Sequence, residues 1–115
     1  MKHFGVIITD SHSIPLRYGT LGISIGSYGF NPVKNYTHKP ALFPGKRLKF
    51  AQANIADGLC AAATTLMGEG NEQTPVVLIR NAQFVEFDSK NLGNNLYTKA
   101  GQDIYQFLLK QFYKN

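Results

Sequence analysis

The chain has a single cysteine, Cys60, among its 115 residues. One thiol cannot build an internal disulfide framework, and its scarcity fits a reducing compartment, with the cytoplasm as the expected location. No apolar run approaches the roughly 18 residues that a bilayer-spanning helix needs, so no membrane partner is expected. The stretch Val6-Ile7-Ile8 is soon interrupted by Asp10 and is too short for the apolar core of a secretory signal. Runs of like charge are missing as well. Twelve Lys and Arg outnumber seven Asp and Glu, for a net charge of +5, but they are scattered along the chain. That balance suits an anionic partner such as a nucleotide, phosphate, polyglutamate or nucleic acid, but without a run of like charge no nucleic-acid tail is indicated and a nucleic-acid partner ranks last. Several chemical signatures are absent too: there is no GxxxxGK-S/T loop, no G-x-S-x-G elbow, no H-E-x-x-H helix and no CxxC pair. One Cys and three dispersed His give no zinc-type ligand spacing.

What is present is a globular composition, 43% hydrophobic and 17% charged, at a length that suits one domain over residues 1–115. Val6-Ile7-Ile8 reads as a short strand buried on both faces and ending at Asp10. Ser11 to Pro15 is turn, since Pro15 donates no hydrogen bond and holds Ile14 extended. In Thr20 to Gly26, Leu21, Ile23 and Ile25 alternate with Gly22, Ser24 and Gly26, giving an apolar face and a face of small residues. Either a ligand approaches that small face or a strand or helix packs tightly on it.

Residues 31–46, with Pro32, Pro40, Pro44 and Gly45, read as a long irregular binding loop, followed by a strand at Leu48 to Gln52. A helix capped by Asn54 and stopped by Gly68 carries Ile55, Leu59, Ala62, Ala63 and Leu66 as its apolar stripe. Pro75 to Ile79 reads as a buried strand and Phe84 to Phe87 as a shorter one. A C-terminal helix is expected over residues 99–114, with Ile104, Phe107, Leu108 and Phe112 on one face. The order predicts an α+β domain: a mixed sheet with one central and one C-terminal helix.

Chemistry concentrates at Thr9-Asp10-Ser11-His12. A carboxylate at a strand end suits a hard cation such as Mg²⁺ or Mn²⁺, but on the bare residues turn-making is the favoured reading, since Asp and Ser bond nearby amides. Arg17 is positioned to clamp a phosphate or carboxylate, or to pair with Asp10. Asp57 in the first turn of the central helix is favoured by the helix dipole. Glu69 and Glu72 read as solvated loop residues and Cys60 as a small core residue.

The run from Val6 to Gly19 resembles an I-I-S/T-D-S/T-x-G-R-P-x-R-x-G signature. Ile23 to Phe30 is similar to A-I-G-x-A-G, Asn54 to Ala63 to V-A-D-E-L-A-A-A-A, and Met67 to Pro75 supplies M-G-E-G-N-E-Q-T-P. In collinear order over about residues 5 to 87, these segments resemble the gamma-glutamyl ligases that act on a deazaflavin coenzyme. The nearest likeness is to a bacterial branch named for folate metabolism. The likeness is to the C-terminal part of such enzymes and implies one lobe of a two-lobed fold. It implies use of GTP, or ATP, with Mg²⁺ or Mn²⁺ to join L-glutamate to a carboxylate of a folate-like or deazaflavin-like acceptor. Asp10 and Asp57 would then converge on one metal ion, Arg17 would join Asp10 in catalysis, and Ser11, His12, Arg17 and Gly26 would contact the nucleotide. A homodimer, or a partner supplying the missing lobe, is implied as well. Departures are Ser13-Ile14 in place of the G-R pair, Gly58 in place of the Glu after the helix aspartate, and Asn35 and Ala41 in place of loop acids. They leave open a non-catalytic dimeric binding or assembly subunit that kept the ligase fold.

Overall fold

The structure, a computed structural model, describes residues 3–111. β1 (Val6–Ser13) turns over residues 14–19 and returns as β2 (Thr20–Tyr28), an antiparallel ribbon with Val6 opposite Tyr28 and Ser13 opposite Thr20. Leu16 and Gly19 take positive φ in that turn, and the Arg17 amide donates to the Ile14 carbonyl at 3.2 Å. The register slips once. Ile8 faces Gly26 and Thr9 faces Ser24, which leaves Ile25 as a β-bulge. The small-residue face of β2 is the one that is covered. α1 (Ile55–Met67) lies along it, and a Cβ built on Gly22 would sit 2.7 Å from Thr64 Oγ1 and 2.8 Å from the Cys60 carbonyl oxygen. The tight-packing alternative therefore holds at Gly22. At Gly26 a Cβ would meet nothing within 4 Å.

α1 satisfies the ribbon as well as covering it. The amides of Gly22 and Ser24 donate to α1 side chains, Thr64 Oγ1 at 3.0 Å and Asp57 Oδ1 at 2.7 Å, so the edge of β2 is closed by the helix. The helix starts and stops where its sequence indicates. Asn54 accepts from the Asp57 amide at 3.0 Å, and Gly68 at φ 78° ends it with its amide on the Thr64 carbonyl. Its buried face is rotated from the expected stripe: Ala56 and Cys60 are buried, whereas Leu66 is 68% exposed. Close approach to Gly22 selects small side chains over large ones. Phe30 and Pro32 complete a small core.

Residues 31–46 are not irregular throughout. β3 (Val33–Asn35) pairs with β4 (Gln52–Asn54), and the two sides stay together outward through a Pro40–Arg47 bridge to a turn at 42–45. The strand expected at Leu48 to Gln52 is thus displaced towards the helix. This arm is anchored where the Ile55 and Ala56 amides, two otherwise unpaired donors of the first helical turn, both reach the Pro32 carbonyl at 2.9 and 3.2 Å.

Other expectations need correction. Instead of one mixed sheet, the described residues form two separate two-stranded antiparallel sheets, although the α+β class stands. Pro75 to Ile79 runs over α1 without a ladder partner, with Val76 78% and Leu78 62% exposed. Of Phe84 to Phe87 only an isolated Phe30–Phe87 bridge remains, with the Asn31 amide on the Glu86 carbonyl at 2.8 Å. β1 is covered on one face only, leaving Val6 51% and Ile8 62% exposed. The C-terminal helix shrinks to a 3₁₀ turn at Ala100–Gln102 and α2 (Gln106–Leu109), and Phe112 lies outside the described residues. The exposed surface totals 9871 Å², against roughly 6,300 Å² for a typical folded chain of this mass.

Candidate functional site

Alternation along β1 sends Ile7, Thr9 and Ser11 towards α1 and Asp10 and His12 to the opposite face. Thr9 lies against the core, where it lines a cavity of about 160 Å³ with Cys60, Leu59 and Phe87. Asp10 is exposed, and its Oδ1 accepts from the Ser11 amide at 2.8 Å, a local turn-type bond that leaves its second oxygen free. On the other face Ser11 Oγ donates to Glu69 Oε1 at 2.5 Å. The loop bearing Glu69 is folded back by Glu72, whose Oε2 accepts from the Gly70 amide at 2.8 Å. Glu69 is exposed, as its reading as a solvated loop residue expects, and the helix stop at Gly68 turns it back to meet Ser11 of β1.

Asp57 is more constrained. Its Oδ1 accepts from the Ser24 amide and its Oδ2 from Asn54 Nδ2 at 2.5 Å, so it ties the helix cap to β2. A carboxylate offers about four lone-pair positions, so two hydrogen bonds still leave each oxygen able to bind a cation. The Ser24 hydroxyl, 5% exposed at the residue level, is buried without a hydrogen-bond partner. Cys60 is free, and burial pushes its thiol above the ordinary value of 9.0; the Thr9 hydroxyl opposes this rise and the Asp57 charge adds to it. Burial and a raised pKa both disfavour the thiolate, which fits a packed core thiol.

The sequence-selected residues form two groups. Asp10, Ser11 and His12 end β1, and Arg17 follows in the exposed turn. Arg17 does not pair with Asp10, since Lys34–Glu86 at 3.6 Å is the only ion pair among the described residues. Asp57 approaches β2 on the helix side, while Asp10 leaves on the other face. Gly26 lies further along β2, opposite Ile8. Carboxylate and hydroxyl oxygens fit a hard divalent cation in kind. Among the described residues no group of three or more His, Cys, Asp or Glu is gathered closely enough to hold an ion unaided. Magnesium sites of one or two carboxylates completed by water and phosphate oxygens need no more than this. Among the described residues no helix is long and apolar enough to cross a membrane.

The family model described as F420-0:Gamma-glutamyl ligase matches residues 1–81. The coenzyme F420:L-glutamate ligase of Methanococcus maripaludis is 39% identical over 105 residues, covering 91% of this chain and 41% of the relative. The enzyme of that name from Methanosarcina barkeri is 43% identical over 83 residues, 72% of this chain and 32% of the relative. That of Archaeoglobus fulgidus is 31% identical over 110 residues, 96% of this chain and 43% of the relative. The chain thus spans about two-fifths of the length of the curated relatives it matches. The matched stretch runs through β1, β2, the arm and α1, and on those grounds the chain belongs to the F420-0:gamma-glutamyl ligase family.

Proposed function

We propose that the chain carries the metal- and nucleotide-binding part of a gamma-glutamyl ligase, which joins L-glutamate to a carboxylate of a deazaflavin-like or folate-like acceptor in the cytoplasm. The observation that carries this reading is the family match over residues 1–81, which includes every element positioning Asp10, Ser11, Arg17 and Asp57. A free carboxylate has no leaving group and repels nucleophiles. A nucleoside triphosphate, GTP or ATP, removes both obstacles. Its γ-phosphoryl group passes to a carboxylate oxygen as the bond to the β-phosphate breaks, and the diphosphate leaves. The glutamate nitrogen, having lost a proton, then attacks the acyl carbon, and the C–O bond to phosphate breaks.

In this reading Asp57 from the covered side and Asp10 from the open side would each supply a carboxylate to Mg²⁺ or Mn²⁺, while Ser11 holds Glu69 on the face opposite Asp10. The bound ion would neutralise charge on the phosphoryl oxygens. Arg17, exposed and free of Asp10, stabilises the transferring group, Ser11 and His12 contact the phosphates, and the open backbone at Gly26 admits the nucleotide. The bare faces at Val6, Ile8, Val76 and Leu78 are covered by a second copy or by a partner supplying the other lobe, since exposed apolar patches of this extent mark interfaces.

Titration calorimetry with GTP or ATP plus Mn²⁺ tests the reading. Binding that is lost in Asp10→Asn is the expected result. Absence of binding to the unaltered chain, or binding unchanged in both Asp10→Asn and Asp57→Asn, removes the proposed site.

A further inference from the structure

Between Asp10 and Asp57 the chain has no acidic residue, yet it carries six cations, Arg17, Lys34, Lys39, Lys46, Arg47 and Lys49. Five of the six lie on the β3–β4 arm. Lys34 Nζ and Lys39 Nζ lie 5.8 and 5.4 Å from the centroid of the same Tyr36 ring. Arg47 Nη1 donates to the His38 carbonyl at 2.9 Å, which fixes its position on the returning side. Lys34 also meets Glu86, but no ion pair engages Lys39, Lys46 or Lys49 among the described residues. This charge is not spread over a random surface. The arm is anchored on the Pro32 carbonyl at the N-terminus of α1, the end of the helix that carries Asp57, and runs outward from there.

We propose that this arm is the binding surface for a polycarboxylate, the γ-linked glutamate tail of the acceptor. The inference rests on the ligase reading for its choice of anion. Joining glutamate consumes one acceptor carboxylate and leaves two on the product, so each addition makes the tail more anionic. A row of ammonium groups along an arm rooted at the N-terminus of α1 holds such a tail more firmly with each residue added.

The test is calorimetry on the chain with γ-linked di-, tri- and tetraglutamate, at low and at physiological salt. The expected result is affinity that rises with each carboxylate and falls with salt. The triple variant Lys39→Gln, Lys46→Gln and Lys49→Gln should bind tetraglutamate about tenfold more weakly or worse, and the matching Lys→Arg variant should restore binding. Circular dichroism of each variant checks that the arm's neutral form is folded. No binding by the unaltered chain, or equal binding by the Gln variant, overturns the proposal. So does tighter binding of an oligonucleotide of equal charge, which would make the arm a nucleic-acid surface. The same samples titrated with GTP and Mn²⁺ separate the two readings. Tail binding without nucleotide binding sinks the ligase and keeps the arm, whereas the reverse sinks only the arm.

Discussion

Gly22→Ala tests the packing on which the candidate site depends. The new methyl carbon would sit 2.7 Å from Thr64 Oγ1 and 2.8 Å from the Cys60 carbonyl oxygen. The first contact can be relieved by rotating a side chain, but the second is helix backbone and cannot. Overpacking of this kind costs about 1–3 kcal/mol. Pushing Thr64 away also removes its 3.0 Å bond from the Gly22 amide, worth about 0.5–1.5 kcal/mol. The expected loss is about 2–4 kcal/mol, or roughly 8–15 °C in Tm for a chain of this size. Urea and thermal unfolding by circular dichroism measure it. Thr64→Ala in the same chain should recover part of the loss, because the side-chain clash vanishes while the backbone clash remains. Gly26→Ala is the internal control: its Cβ meets nothing within 4 Å, so stability should stay within about 0.5 kcal/mol of the parent. A Gly22→Ala protein melting within about 2 °C of the parent would refute the seating of α1 on β2.

The two candidate metal carboxylates should separate by perturbation. Asp57→Ala leaves the Ser24 amide without its acceptor and weakens the Asn54 cap, and should cost about 2–3 kcal/mol in unfolding experiments without metal. Asp10→Asn touches an exposed group and should leave stability within about 0.5 kcal/mol while Mn²⁺ binding falls. Equal destabilisation by both would contradict the environments described. The raised Cys60 pKa predicts an alkaline effect. The folded chain keeps its proton where the unfolded chain has lost it, so stability is fully present below the ordinary thiol value of 9.0 and declines as pH rises from there towards the folded pKa. Unfolding curves across that range should show the decline, and Cys60→Ala should remove it; an identical slope in that variant would assign the decline to other groups.

Local signals were read correctly where a single residue decides the outcome. Asn54 and Gly68 bound α1 because a cap and a left-handed stop act within one turn. Pro15 falls in the β1–β2 turn as expected, although the turn begins after Ser13 and not at Ser11. Failures came where long-range partners decide. The runs Val6 to Ile8 and Val76 to Ile79 promise burial on both faces, yet periodicity says only that a side chain seeks cover and not that this chain supplies it. The helix stripe was misassigned because hydrophobicity ranks Leu66 above Cys60, whereas the approach to Gly22 favours the smaller group. Asp10 is expected at a strand end with Ser11 to Pro15 as turn, but pairing with β2 carries β1 on to Ser13, so Asp10 lies inside the strand. Glu69 reads as a solvated loop residue and is exposed; its contact with Ser11 was not legible, because it depends on the alternation of Ser11 across the ribbon.

The faces of the ribbon also order the chemistry. Asp57 is committed to the cap and to Ser24, so its geometry is set by folding before any ligand arrives. Asp10 is exposed and held only by a bond to its neighbour's amide. In the proposed reading, a constrained carboxylate on the covered side and a less constrained one on the open side would suit an ion that arrives with its nucleotide, since a wholly preformed cage would bind metal alone. The buried, unpartnered Ser24 hydroxyl belongs to the covered side. An unpaired hydroxyl there destabilises the empty protein. Its removal in Ser24→Ala should therefore be neutral or stabilising without ligand, and should weaken Mn²⁺–nucleotide binding only if the covered side of the ribbon is where the ion sits.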